Sequence, residues 1–296
     1  MRKIVLTTMF AALLLAACGG IGATPTATPV PPTATPVPPT ATPVPPTATP
    51  VPVADPQEAI LAGLQKAGEV TTYRIELSMS ASGDLGDMGL GEQLQGPMEL
   101  IGVSGAIDGD NTQITMKGLF AAFLGGTPEQ GIEMINADGK SYIRGPVPLL
   151  NAPENKWYEL PADQGSPADT FSSNEIIDSI GNEEVDFSAM TVAGRETLDG
   201  VECTIFSADR EATLALMESL GETGLPGGGE MEDVERAELR FWICDDGYFH
   251  KMTLDFVGVP EGESQTAEIA LVFRLYDFDG DIRITAPADA EPIATP

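Results

Sequence analysis

Seven residues, Thr-Ala-Thr-Pro-Val-Pro-Pro, recur at Thr26–Pro32, Thr33–Pro39 and Thr40–Pro46, with a truncated copy at Thr47–Pro52. Nothing else in this 296-residue chain limits its folding so sharply. Proline at this density removes backbone donors and locks φ, so neither helix nor sheet forms through it. The stretch is expected as an extended polyproline II stalk; at about 3.1 Å per residue, Thr24 to Val53 spans roughly 90 Å. Its period is too short and too polar for a solenoid, so it reads as a spacer. What can fold into a core is left to residues 55–296, enough chain for one substantial domain.

Upstream of the repeats, Arg2 and Lys3 precede an apolar run from Ile4 to Leu15. A basic start and a short apolar core mark an export leader rather than a membrane span. Leu15-Ala16-Ala17-Cys18 resembles the lipobox of bacterial lipoproteins, whose cysteine thiol is lipidated and becomes the new N-terminus. The resemblance implies a leader over residues 1–17, lipidation at Cys18, and a lipid-anchored stalk over 18–54. It places the protein outside the cytoplasm on the bacterial cell membrane, held stably if two or more acyl chains are attached. An ordinary secretory leader with a chance cysteine is the alternative.

Charge narrows the partners. The chain carries 45 acidic against 15 basic residues, a net charge of −30, and loss of the leader removes two of the cations. Such a surface repels nucleic acid and anionic headgroups, which excludes DNA or RNA binding. It suits an extracellular domain, expected as a monomer, kept near its membrane by a covalent tether. With Cys18 assigned to lipid, Cys203 and Cys244 remain, and export puts both in an oxidising compartment. A disulfide between them closes a loop of about forty residues, worth about 4 kcal/mol on the chain-entropy model. Zinc is the rival use, although two cysteines and a single histidine are poor material for a tetrahedral site.

Downstream, Asp55 as N-cap and Pro56 at the first helical position open a helix whose face carries Ile60, Leu61 and Leu64. From Thr72 the pattern changes to period two. Tyr73, Ile75, Leu77 and Met79 point one way, and Thr72, Arg74, Glu76 and Ser78 the other, which predicts a half-buried strand. Met98–Ile107 and Thr112–Leu119 flank an Asp-Gly-Asp-Asn turn and read as a hairpin. Gln130–Asn136, Lys140–Arg144, Lys156–Leu160, Ala189–Thr197, Val201–Ser207, Ala237–Ile243, Tyr248–Phe256, Thr266–Tyr276 and Asp281–Ile284 are further strands. Asp169–Ile180 and Arg210–Leu220 read as helices, the first striped by Ile176, Ile177 and Ile180, the second by Leu214, Met217 and Leu220. About a dozen antiparallel strands with two or three helices make an α+β domain with its helices on one sheet face. Gly118–Gly126 holds Phe120, Phe123 and Leu124 between glycines. It reads either as a short buried helix or as a mobile apolar lip at a cavity mouth.

Two markers then bring a family into view. Gly194-Arg195-Glu196-Thr197-Leu198-Asp199-Gly200-Val201, continuing through Cys203 to Phe206, resembles the strand-turn-strand of LppX/LprG-type lipoproteins and their LolA/LolB-like relatives. Arg240-Phe241-Trp242-Ile243-Cys244-Asp245-Asp246-Gly247 is similar to their next marker, with Cys244 where an aspartate is common. The opening helix and strand, and the closing Tyr276–Pro287, are similar as well. The resemblance implies a curved antiparallel half-barrel sheet with helices on its concave face. It also implies an apolar cavity for acyl chains, lipid or lipoprotein binding or transfer at the cell envelope, and no catalysis.

On that basis Tyr73, Ile75, Leu77 and Met79 are expected to form one wall of a cavity, and Leu239, Phe241 and Ile243 a second. Ile176, Ile180, Phe120, Phe123 and Leu124 would form its lid. Burial of about 0.8 kcal/mol per methylene lets such a site bind a lipid without any polar motif. The competing expectation is that these residues fill a solid core and the domain displays a protein-binding face. Catalytic chemistry finds little material, and neither cofactor nor metal is expected. His250, the single histidine, reads as a partly exposed strand residue without a partner nucleophile. Asp277, Asp279 and Asp281 lack the glycine and glutamate offsets of a calcium loop and read as a charged hairpin turn. The Glu230–Glu235 run reads as a solvated edge, and Pro226–Glu230 as a linker or an insertion.

Overall fold

The computed structural model describes residues 55–83, 94–161, 176, 177, 180, 181, 185–220, 231–260 and 266–293. The leader, Cys18, the stalk, most of Asp169–Ile180 and the Pro226–Glu230 loop lie outside the described residues.

Helix α1 runs from Pro56 to Gly68, and the Asp55 carboxylate caps it by accepting from the Gln57 N–H at 2.9 Å and the Glu58 N–H at 3.4 Å. Ile60, Leu64 and Ala67 are its buried face. The strands are β1 (Thr72–Gly83), β2 (Leu94–Asp108), β3 (Asn111–Lys117), β4 (Ile132–Ala137), β5 (Lys140–Arg144) and β6 (Trp157–Glu159), then β7 (Thr191–Leu198), β8 (Val201–Ala208), β9 (Met231–Cys244), β10 (Phe249–Pro260), β11 (Ala267–Tyr276) and β12 (Glu291–Pro292). Helix α2 (Leu119–Phe123) sits between β3 and β4, and α3 (Arg210–Leu220) between β8 and β9.

All twelve strands join one sheet in the order β12-β6-β5-β4-β3-β2-β1-β11-β10-β9-β8-β7. The pairings are antiparallel except β12 with β6. The chain therefore meanders outward from β1 to β6, starts again at the opposite edge with β7, and returns to β1 through β11. The sheet stays open, since β12 and β7 are edges. At β2–β3, Gly109 takes φ +60° as the first of two loop residues, which glycine tolerates and which suits the twist of the hairpin.

Period-two burial is realised as expected in β1, where Tyr73, Ile75, Leu77, Met79 and Ala81 are all buried. The main core spreads over one face of the sheet and takes in Ile60 and Leu64 of α1, Ala121 of α2 and Leu216 of α3. In β10, Phe249 and Met252 both enter this core although they are three residues apart. A bulge between Phe249 and Lys251 absorbs the extra residue, His250.

The opposite face is polar along its middle, where Arg274 bridges Glu76 at 2.9 Å and Asp199 at 3.0 Å. It is apolar at two places. One is the cluster of Cys203, Trp242 and Cys244, in which the two cysteines are register partners on β8 and β9 and form a disulfide. The other holds Ala106, Ile135, Ala137 and Tyr142 of the sheet against Ile282 and Ile284. Asp281–Ile284, expected as a strand, makes no ladder. It lies as an extended strap on this second face, where Ile282 and Ile284 gain burial from packing alone and the Ile284 N–H reaches Asp108 at 3.3 Å. Its alternation reports one-sided burial, which does not require strand pairing.

Candidate ligand site

The core-facing side of β9 and β10 carries Leu239, Phe241, Met252 and Leu254, alternate residues of two paired strands. Over them lies α3. Asp209 starts this helix by accepting from the Ala212 N–H at 3.0 Å, and the Thr213 hydroxyl donates to the Ala208 carbonyl at 3.3 Å, so a buried polar group is satisfied locally. The buried stripe of α3 falls on Thr213 and Leu216, with Met217 partly buried beside them, rather than on Leu214. Ile180 and Phe187 close the remaining side. Phe187 is positioned from α1: Gln57 donates to the Val185 carbonyl at 3.0 Å and its side-chain oxygen accepts from the Phe187 N–H. The Phe187 ring then meets Phe241 edge to face, with centroids 5.5 Å apart.

Ile180, Phe187, Leu216, Met217, Leu239, Phe241, Met252 and Leu254 enclose a cavity of about 10 Å³. Among the described residues its walls hold no polar side chain, so none of these could coordinate a metal or fix a polar substrate. The volume is about that of a single water, and a void with apolar walls of this kind stays dry.

Of the expected cavity residues, Ile180, Leu239 and Phe241 come together here. Ile176 and Ile243 pack partly buried against the same core. Tyr73, Ile75 and Leu77 sit in that core on β1, two strands from β10, and do not line the void. Met79 belongs to a separate cluster with Ala81, Leu100 and Ala267, because β1 runs past the end of the main core. Phe120, Phe123 and Leu124 form no lid over the cavity. They belong to α2 and its C-cap, and α2 packs on β2 and β3, with β1 and β11 intervening before β10. Phe187, Leu216, Met252 and Leu254 went unassigned in the sequence. The alternation in β10 is the signal for two of them, and Leu216 stands beside Met217, one residue from the expected stripe of its helix.

His250, at the β10 bulge, is buried rather than partly exposed, covered by Asp246 and Phe278. Its Nε2 is 2.9 Å from the Asp246 carboxylate, the Phe278 ring lies edge to face at 5.0 Å, and Nδ1 is buried without a hydrogen-bond partner. Beside it, Tyr248 stacks on Phe278 at 4.4 Å beneath the Lys66 ammonium, which also donates to the Asp246 carbonyl. Burial pushes the Tyr248 hydroxyl pKa up, and the negative charges of Asp279 and Asp246 add to this. Cys244, Asp246 and His250 are the one group of ligand-type side chains close enough to share an ion among the described residues. The disulfide consumes the Cys244 sulfur, so two donors remain and the set does not fit a metal centre.

Asp277 and Asp279 adopt φ +55° in a turn, where Asp277 accepts from Arg74 at 3.0 Å and Asp279 donates its N–H to the Thr72 carbonyl at 2.8 Å. These contacts serve the turn geometry, and no hairpin partner follows. A larger cleft of about 230 Å³ opens where Arg144 lies between Glu133 at 3.5 Å and Asn155 at 3.2 Å. Arg144 is thus already paired, and the cleft is shared with solvent.

No family model matches the chain, and no curated protein matches it. Among solved structures it is similar to LprF from Mycobacterium bovis, with 14% identity, covering 80% of this chain and 99% of that one at a TM-score of 0.40. It is also similar to the Mycobacterium tuberculosis lipoprotein LppX, with 12% identity, covering 77% and 97% at a TM-score of 0.38. A DUF1329 family protein from Desulfovibrio piger follows at 12% identity, 77% and 95% coverage and a TM-score of 0.22. LppX is of the type that the Gly194–Phe206 and Arg240–Gly247 markers resemble.

Proposed function

We propose that this protein is a membrane-anchored extracytoplasmic lipoprotein that takes up a lipid or another apolar ligand between its sheet and its helices. In this reading, residues 1–17 are the leader, Cys18 carries the anchor, 18–54 form the stalk and 55–296 the binding domain, whose sheet curls around the helices as a half-barrel. The observation that carries it is the void between α3 and β9–β10, whose described walls are all apolar side chains. A site of that chemistry selects for methylene groups and for nothing polar. At about 10 Å³ it is the seed of a site rather than a vacant one, so uptake requires α3 to move off β9. Leu216 and Met217 are the side chains that must yield, and methionine re-packs readily. Each buried methylene returns about 0.8 kcal/mol, so a long acyl chain outweighs the contacts it displaces. Tethered by Cys18, such a protein receives or presents lipid within reach of its stalk rather than ferrying it at large.

The near-closed void favours a second reading, in which the core is solid and the domain serves as a surface-displayed interaction module. Native mass spectrometry with organic extraction separates the two, applied to the chain from Gly19 onward produced without leader or anchor. A non-covalent acyl species that Leu216→Trp expels supports the binding reading. An empty protein that also fails to take up a fluorescent fatty acid sinks it and leaves the interaction module.

A further inference from the structure

The outward side chains around α2 play no part in the cavity, and they form a surface of their own. Phe120 is 40% exposed, Phe123 64%, Leu149 70% and Met98 40%. Their backbones are brought together by two close approaches. Gly118, at the start of α2, lies so near the Glu99 and Leu100 carbonyls that a Cβ there would stand 2.9 Å from either oxygen, which sets α2 beside Met98. Gly125, just past the helix, would bring a Cβ within 2.8 Å of Pro148 Cδ, in the 3₁₀ turn that carries Leu149. The inner sides of both segments are pinned: Ala121, Val147 and Ala152 are fully buried, and Val147 and Ala152 bridge each other. The exposed side chains therefore stand on a held backbone.

Charge sets the patch apart. Residues 118–128 and 145–153 contain no ionisable side chain, in a chain with 45 acidic and 15 basic residues. Lys117, Glu129, Arg144 and Glu154 bound the two segments. A surface of net charge −30 is repelled by anionic headgroups, so these two uncharged segments, with the exposed Glu99 at their margin, are where such a molecule can meet a bilayer. We propose that this patch rests in the interfacial layer of the membrane that anchors the protein, with Phe123 and Leu149 inserted among the acyl chains. The inference builds on the anchored reading above, because residues 19–54 tie the domain to the bilayer and raise its local lipid concentration, so that weak insertion suffices.

Full-length lipidated protein reconstituted in phosphatidylcholine vesicles with brominated acyl chains tests this. Phe123→Trp and Leu149→Trp should each lose at least about half of the emission the new indole adds, as expected for a ring at the acyl boundary. Val192→Trp, on the exposed edge strand β7, should lose none. Equal quenching at 123 and 192, or none at 123 and 149, overturns the proposal. An oligomer that Phe123→Asp dissolves, with no quenching, overturns it too and makes the patch an interface between copies. The N-terminal mass of the same preparation reads the anchor separately. If Cys18 carries no acyl chain the anchored reading fails, while quenching by vesicles added from outside still decides the fate of the patch.

Discussion

Cys203 and Cys244 face each other across β8 and β9 as register partners, and their disulfide ties the strand pair next to the β7 edge. The bond spans a sequence separation of 41 residues, which includes all of α3. The chain-entropy model values such a closure at about 4 kcal/mol. Replacing both cysteines by alanine is expected to lower unfolding stability by about 2–4 kcal/mol in urea titrations. A loss under about 1 kcal/mol would mean that the β8–β9 ladder holds the register without the covalent link.

Gly63 marks the closest approach of α1 to the sheet. A Cβ there would lie 2.8 Å from Ile243 Cδ1 and 3.3 Å from the Phe249 backbone nitrogen. Alanine in a helix interior ordinarily gains about 1 kcal/mol over glycine. Here the methyl would overpack the Ile243 side chain, with the Phe249 nitrogen closing the other side, which should outweigh that gain, and Gly63→Ala is expected to destabilise by about 1–2 kcal/mol. A stabilised variant in thermal unfolding would show that α1 can lift off β9 and β10 at little cost.

Leu216 is the buried contact of α3 at the cavity. Leu216→Ala should cost about 2–5 kcal/mol and enlarge the void. The same variant should take up a small apolar probe faster than the wild type, read by fluorescence enhancement. Destabilisation with no gain in uptake would mark α3 as packing alone.

Tyr276 and Tyr248 carry the pH dependence at the alkaline end. Burial raises the Tyr276 hydroxyl pKa, and the Glu76 carboxylate, which accepts its hydrogen bond at 3.2 Å, raises it further. Tyr248 is shifted upward as well, again chiefly by burial. In each case the folded chain keeps a proton that the unfolded chain releases near pH 10. The contribution to stability is therefore whole below about pH 10 and disappears as pH rises through the higher folded pKa. Denaturation midpoints should fall over that window, and Tyr276→Phe should flatten the fall. Phenolate absorbance that develops at the unperturbed pKa in the folded state would refute this.

Much of the local structure is readable residue by residue. Asp55-Pro56 announces α1 because a carboxylate beside free N–H groups and a preset φ act within one turn. Tyr73 to Met79 announces β1 because period two is a property of the strand itself. The same logic misleads at Ile282 and Ile284, whose alternation meets the second sheet face without a partner strand. It also misplaces His250, since the extra residue of a bulge is set by the register with β9. Phe120 and Phe123, read as part of either a short buried helix or a lip at a cavity mouth, lie in a short helix of which Ala121 is buried, and the sheet order carries it to β2 and β3, away from α3.

By itself, then, the sequence determined where α1 and β1 begin and which side of each faces inward, since capping and periodicity act over a few residues. It also offered Cys203 and Cys244 as the pair to join, on the expectation that Cys18 carries lipid. Only the tertiary structure decided that β7 starts a second meander at the far edge, and that Phe187, Leu216 and Met252 meet Phe241 around one void. Strand order and cavity shape depend on contacts between residues far apart in the chain, selected by how whole elements pack, and no local pattern encodes that choice.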